Sequence, residues 1–211
     1  TLKHIRIFSN ADEAINISSL YIDQDKDSNY EYFQFVNSGV LHRSDIYGKL
    51  NGVNSSCSLS GLTLSKDKQH SATYINTDHA KPYCTSSQNF KSILNDMSSG
   101  VFNGRTVVQE DSQKTNSRQS NKNLLLSDKA LMNSNPQLEI YADDVKCAHG
   151  STTGALDKEA LFYMQSRGIS KKNASSILIR GFASEMINEI QHEGTKKYLL
   201  DKFDRWLKDY N

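Results

Sequence analysis

Cysteine is scarce in this chain. Three occur among 211 residues, too few to frame a disulfide-stapled fold, and free thiols suit a reducing compartment. No sign of charge predominates. Lys and Arg number 25 against 24 Asp and Glu, for a net charge of +1, which excludes a general basic field for nucleic acid and an acidic tail. No apolar run approaches the roughly 20 residues of a membrane helix, and no secretory signal pattern opens the chain. No GxxxxGK[ST] loop is present, so ATP hydrolysis would belong to a partner. Proline occurs only at Pro82 and Pro136, which leaves the turns to Ser, Asn, Asp and Gly.

What is present is a long series of short apolar runs. The length allows one large or two small domains. His4-Ile5-Arg6-Ile7 and Ile15-Asn16-Ile17 alternate, Leu20-Tyr21-Ile22 follows, and Tyr30-Glu31-Tyr32-Phe33-Gln34-Phe35-Val36 is rich in aromatic strand formers. Asparagines between the runs suit tight corners, since Asn tolerates left-handed backbone angles. No exact repeat is visible, so sandwich, barrel and β-helix all remain open on composition. One helical interruption is predicted over 87–97, where Phe90, Ile93, Leu94 and Met97 fall at helical spacing and Gly100 would end it.

The character changes within 138–169. Leu138, Ile140 and Ala142 alternate like a strand, Asp143-Asp144 breaks the run, and Val145 and Cys147 resume it. The reading then places a loop over 149–154. Asp157 caps a helix carrying Leu161, Phe162 and Met164, Gly168 closes it, and Ser170 caps a second helix with Ala174, Ile177, Leu178, Phe182 and Met186 on one face. Gly194 marks a break before a last helix striped by Leu199, Phe203, Trp206, Leu207 and Tyr210. The division is a β domain over 1–155 and a helical domain over 156–211. Cys147 and His149, two apart on a strand, share a face. A thiolate and an imidazole together suit a transition metal, although two donors do not close a site.

The residues Leu138-Glu139-Ile140-Tyr141-Ala142-Asp143-Asp144-Val145-Lys146-Cys147-Ala148-His149-Gly150, with Leu161-Phe162-Tyr163 and Ser166-Arg167-Gly168-Ile169, resemble the C-terminal part of the SufB/SufD family of iron–sulfur cluster assembly scaffolds. Gly100-Val101-Phe102-Asn103-Gly104-Arg105 and 119–127 match as well. The resemblance runs from about His70 to about Glu189 and is faint before that. It implies a mainly β fold, a right-handed parallel β-helix followed by a small C-terminal helical domain.

The resemblance also implies a role: a non-catalytic scaffold subunit that pairs with SufB, docks the SufC ATPase, and holds no cofactor stably alone. An iron–sulfur cluster or iron would sit transiently at the interface with SufB, with His149, and Cys147 beside it, as the candidate ligands. Arg167, Gly168, Ile169 and Ser170 are the candidate SufC-docking residues. The SufB branch carries a cysteine in the element that here reads Gln119-Ser120-Asn121. A serine hydroxyl cannot stand in for a thiolate toward iron, so the chain looks closer to the SufD branch. The expected compartment is cytoplasmic, or plastid stroma if a leader has been removed, and an isolated chain could form a homodimer. Cys57, Cys84, His4, His42, His70, His79 and His192 are expected to be structural. The competing readings are a SufB-like homodimeric scaffold, a metal or thiol enzyme using Cys147 and His149, and a solenoid interaction module with no metal role.

Overall fold

The computed structural model describes residues 1–9, 11 and 13–210. Among the described residues eleven strands come first, and all pair in parallel. They are β1 (Leu2–Phe8), β2 (Ile15–Gln24), β3 (Asn29–Val36), β4 (Leu41–Leu50), β5 (Ser56–Ser65), β6 (His70–His79), β7 (Thr85–Leu94), β8 (Ser99–Val108), β9 (Asn116–Leu125), β10 (Leu131–Ile140) and β11 (Lys146–Gly154). The odd strands stack in order as one sheet and the even strands as the other. The chain therefore alternates between two sheets and climbs one rung with every second strand. This is a parallel β-solenoid of about five turns.

The repeat is structural rather than literal. The step to the neighbour one turn on runs from 26 positions, Ile15 to Leu41, to 32, Ser99 to Leu131. Among the described residues, six other than glycine turn the corners with positive φ: Asp27, Asn54, Asp67, Tyr83, Asp96 and Lys114. Four of the six are Asp or Asn, as left-handed geometry favours. Equivalent corners also bond to each other, Asn54 Nδ2 to Asp27 Oδ1 at 2.8 Å and the Asp67 N–H to Asp96 Oδ2 at 3.0 Å.

Inward residues fill the solenoid with Ile22, Tyr30, Tyr32, Ile46, Leu50, Leu59, Ile75, Phe90 and Phe102. The outer face of the odd-strand sheet is apolar too. Its Phe33, Phe35, Leu62, Leu64, Ile93 and Leu124 share one core with Ile179, Ala183, Met186, Ile187, Leu199, Phe203, Trp206 and Leu207. These belong to the helices α2 (Lys171–Ile187) and α3 (Glu193–Tyr210), which follow α1 (Lys158–Ser166). A sheet buried on both faces loses the simple alternation of a half-exposed one. That is why 87–97, read above as a helix, is strand β7: Phe90 faces the interior while Ile93 faces the helices. Gly100 accordingly lies inside β8 rather than at a helix end.

The helix caps agree with the sequence. Asp157 accepts from the Glu159 and Ala160 N–H groups, Ser170 accepts from Asn173 N–H, and Gly168 takes φ +85° between the helices. Two details differ. The buried face of α2 is Ala174, Ser175, Ile179, Ala183, Met186 and Ile187, so Ile177 is exposed. The chain turns at 188–192, and Gly194 sits in the first turn of α3. In α3, Leu199, Phe203, Trp206 and Leu207 are buried as striped, while the Tyr210 side chain lies outside the described residues.

Candidate functional site

The last strand starts from a tethered corner. Lys114 and Asp144 form an ion pair, the Lys114 N–H donates to the Asp144 carbonyl at 2.7 Å, and the Asp144 N–H donates to Gln113 Oε1 at 2.9 Å. Asp143 and Asp144 thus form a bend rather than part of a strand, and Asp144 is occupied by Lys114. From there β11 runs through residues 149–154, which the sequence reading placed in a loop. The exposed Ser, Thr and Gly of that stretch carry no apolar pattern. What makes it a strand is pairing with β9, in register from Lys146–Asn116 to Gly154–Leu124.

That register fixes where the candidate ligands point. Cys147 pairs with Ser117 and His149 with Gln119, both buried inside the solenoid. Cys147 and His149 therefore share the inward face, as their spacing predicts. They belong to two columns: Tyr30, Cys57, Ser86, Ser117, Cys147, and Tyr32, Leu59, Gln88, Gln119, His149. Because β11 ends its sheet and β10 ends the other, these inward positions open as a mouth rather than a core. Ser151 Oγ donates to Ser134 Oγ of β10 at 2.7 Å, and Ser134 Oγ donates on to Asn121 Oδ1 at 2.7 Å, which ties the two sheets together there.

The two candidates differ in environment. The Cys147 thiol is half-buried, and burial pushes it up from its ordinary value, partly offset by the Ser117 backbone N–H. A thiol displaced upward is not an activated nucleophile. His149 is exposed and has no side-chain partner among the described residues. The other five histidines all have a hydroxyl partner: His4 with Tyr30 at 2.8 Å, His42 with Ser44 at 3.0 Å, His70 with Ser99 at 2.7 Å, His79 with Ser86 at 2.8 Å and His192 with Thr195 at 2.8 Å. Cys57 and Cys84 are buried, and Cys84 Sγ lies 3.2 Å from Ser55 Oγ. Among the described residues, no three His, Cys, Asp or Glu side chains come together as a metal site. Ser120 lies on the outer face, opposite in sense to Gln119, between Asn89 and Gly150.

The docking candidates sit at the α1–α2 turn. Arg167, Gly168 and Ser170 are exposed and Ile169 is half-buried, with the Arg167 guanidinium 5.3 Å from the Tyr163 ring. The helix carries Phe162, as the sequence reading placed it, but α1 buries no residue, and Phe162 and Tyr163 stand 73% and 61% exposed. A cleft of about 690 Å³ lies elsewhere, between the first odd strands and the α2–α3 turn. Its charges are mixed, Lys3 with Glu31 at 3.2 Å among them, and both of its histidines are already hydrogen-bonded. No helix among the described residues is long and apolar enough to cross a membrane.

Comparison with known proteins fits this arrangement. The family described as SUF system FeS cluster assembly, SufBD core domain, matches residues 1–182, which extends the likeness over the N-terminal strands where the sequence reading found it faint. The chain is 37% identical over 173 residues to the iron–sulfur cluster assembly protein SufD of Escherichia coli (strain K12), covering 82% of this chain and 41% of that protein. Against the chloroplastic protein ABCI7 of Arabidopsis thaliana the identity is 33% over 193 residues, 89% of this chain and 40% of the relative. SufD of Bacillus subtilis (strain 168) is 37% identical over 116 residues, 55% of this chain and 26% of the relative. The chain spans about two-fifths of the length of the first two.

Proposed function

This chain belongs to the SufB/SufD family of the SUF system, with relatives named SufD among its matches, and on that premise we propose that it is a non-catalytic scaffold subunit for iron–sulfur cluster assembly. The observation that carries the reading is the contrast among the histidines. Five are tied to hydroxyls, whereas His149 stands free at the open end of the solenoid, on the same face as Cys147. A neutral imidazole and a thiolate are suitable donors toward iron, so Cys147 would give up its proton on binding. Two donors are too few to hold a cluster, so the remaining ligands come from a second chain. The unpaired edges of β10 and β11 suit such a chain, because strand edges present unmade hydrogen bonds.

The partner at the mouth is SufB, which supplies the thiolate that Ser120 lacks. The cluster, or iron on its way into one, is cargo and not a resident cofactor. The SufC ATPase docks at Arg167, Gly168, Ile169 and Ser170, and the exposed Phe162 and Tyr163 beside them enlarge that surface. The thiol-enzyme reading has less support: burial shifts the Cys147 thiol upward, and among the described residues no carboxylate partners His149.

The test is co-expression with a SufB and a SufC and anaerobic isolation, followed by assay of bound iron and sulfide. His149→Ala leaves the three-protein complex intact and lowers its iron and sulfide content at least severalfold. An intact complex with unchanged content would exclude His149 from the site.

A further inference from the structure

The column that ends at His149 contains an unused acceptor. Gln119 is one turn below His149 in register and only 2% exposed. Its Nε2 is fully engaged, donating to Thr106 Oγ1 at 2.9 Å, the Gly104 carbonyl at 3.1 Å and the Gln137 carbonyl at 3.3 Å. Two of these acceptors are backbone oxygens, so the amide cannot be exchanged end for end without setting oxygen against oxygen. Gln119 Oε1 is therefore fixed as an acceptor, and it has no partner. A buried carbonyl left unpaired is unfavourable, because it has given up water and gained no donor. One turn above it in register is His149, whose imidazole has an N–H to donate and no protein acceptor among the described residues.

We propose that Gln119 is the positioning residue for His149: the ring turns inward about its own side-chain bonds and donates its N–H to Gln119 Oε1. An amide oxygen only accepts, so the ring nitrogen facing it carries the proton and the other keeps its lone pair, directed out of the mouth. Histidines that bind metals are commonly fixed in this way by a carbonyl on the far nitrogen. Gln88 provides the internal control. It sits one turn lower in the same column and shares Thr106 as partner, at 3.2 Å, with its own Oε1 unpaired, but it has no histidine above it. The inference rests on the scaffold reading for its purpose, while its test does not involve a cluster.

The experiment is ¹⁵N NMR of the histidine rings in the uniformly labelled full chain, in alkaline buffer where imidazole is neutral. The wild type is expected to show His149 as one dominant tautomer, at least tenfold over the other. Gln119→Met, close in shape but without an acceptor, moves the two His149 nitrogen shifts toward the mixture found in free histidine, and Gln88→Met leaves them unchanged. A mixed wild-type spectrum overturns the proposal without any variant, so it remains falsifiable if Gln119→Met does not fold. A single tautomer that persists in folded Gln119→Met, or is lost equally in Gln88→Met, overturns it as well. If these tests fail while His149→Ala still depletes the cluster, Gln119 alone is excluded. If His149→Ala has no effect, the scaffold site fails, whatever the tautomer.

Discussion

Lys91 is 2% exposed, on the outer face of β7, where the register would otherwise favour another apolar residue. Its ammonium donates to Glu185 at 2.5 Å and to the Phe182 carbonyl at 3.0 Å, and lies 4.5 Å from the Phe182 ring. The two halves of the ion pair are not equivalent, since the Glu185 side chain is 58% exposed and Lys91 only 1%. Losing Glu185 strands a buried cation, whereas losing Lys91 leaves a carboxylate that water can solvate. Glu185→Ala is therefore expected to cost about 1–3 kcal/mol and Lys91→Met less, measured by urea unfolding; the reverse order would refute the assignment. The acid response follows from buried rings. Burial holds His42 and His79 down to about 4 from 6.5. The folded state keeps them neutral while the unfolded chain protonates, so stability is lost as pH falls from 6.5 toward 4, by about 3 kcal/mol per ring at most. Glu185, lowered by its bond to Lys91, adds a loss at still lower pH, as pH falls through and below the ordinary carboxylate value. In His79→Gln, the slope of stability against pH between 6.5 and 4 should be reduced by about one bound proton.

At the scale of elements, the corners set the climb of the solenoid. A Cβ at Gly52 would lie 1.9 Å from the Lys26 backbone nitrogen, and backbone cannot step aside as a side chain can. Gly52→Ala is expected to destabilise by more than about 3 kcal/mol, at the severe end for a single change. Tyr83 offers the opposite case: it holds φ +62° while 60% exposed, a conformation that costs a bulky residue about 1–2 kcal/mol. Tyr83→Asn keeps the corner and relieves part of that cost, so its thermal midpoint should rise. The same elements show what could be read in the sequence. The strands at 4–7 and 15–17 were legible because polar and apolar residues alternate there, that at 30–36 because it is rich in aromatic strand formers, and the helix starts because Asp157 and Ser170 are conventional caps. Strand β7 was not, because both of its faces are covered. The repeat was hidden because each inward column changes chemistry as it climbs, from Tyr32 through Leu59 and Gln88 to Gln119. That Cys147 and His149 share a face followed from period two. That this face is the open mouth of the solenoid did not, since it depends on β11 having no neighbour on one side.

At the scale of the molecule, α2 and α3 are part of the solenoid's core rather than an appendage to it. Phe35, Leu62, Leu64 and Ile93 are each at most 1% exposed only because α2 and α3 cover them. Solenoids contact only neighbouring turns and can unfold piecemeal, but here one helical layer spans strands β3 to β9 and joins turns that would otherwise be independent. Trp206, the single tryptophan of the chain, lies in that layer, 4% exposed and stacked 6.5 Å from Phe203. Its fluorescence therefore reports on the helices, while the far-ultraviolet strand signal reports on the solenoid. The shared core predicts coincident midpoints for the two probes in guanidinium, as a two-state transition requires. If the fluorescence transition came first, the solenoid would stand without its cover and expose a strip of Phe, Leu and Ile; light scattering should then rise between the two midpoints. Coincident transitions, with Glu185→Ala lowering both midpoints together, would establish that the Lys91 contact couples the helical layer to the turns beneath it.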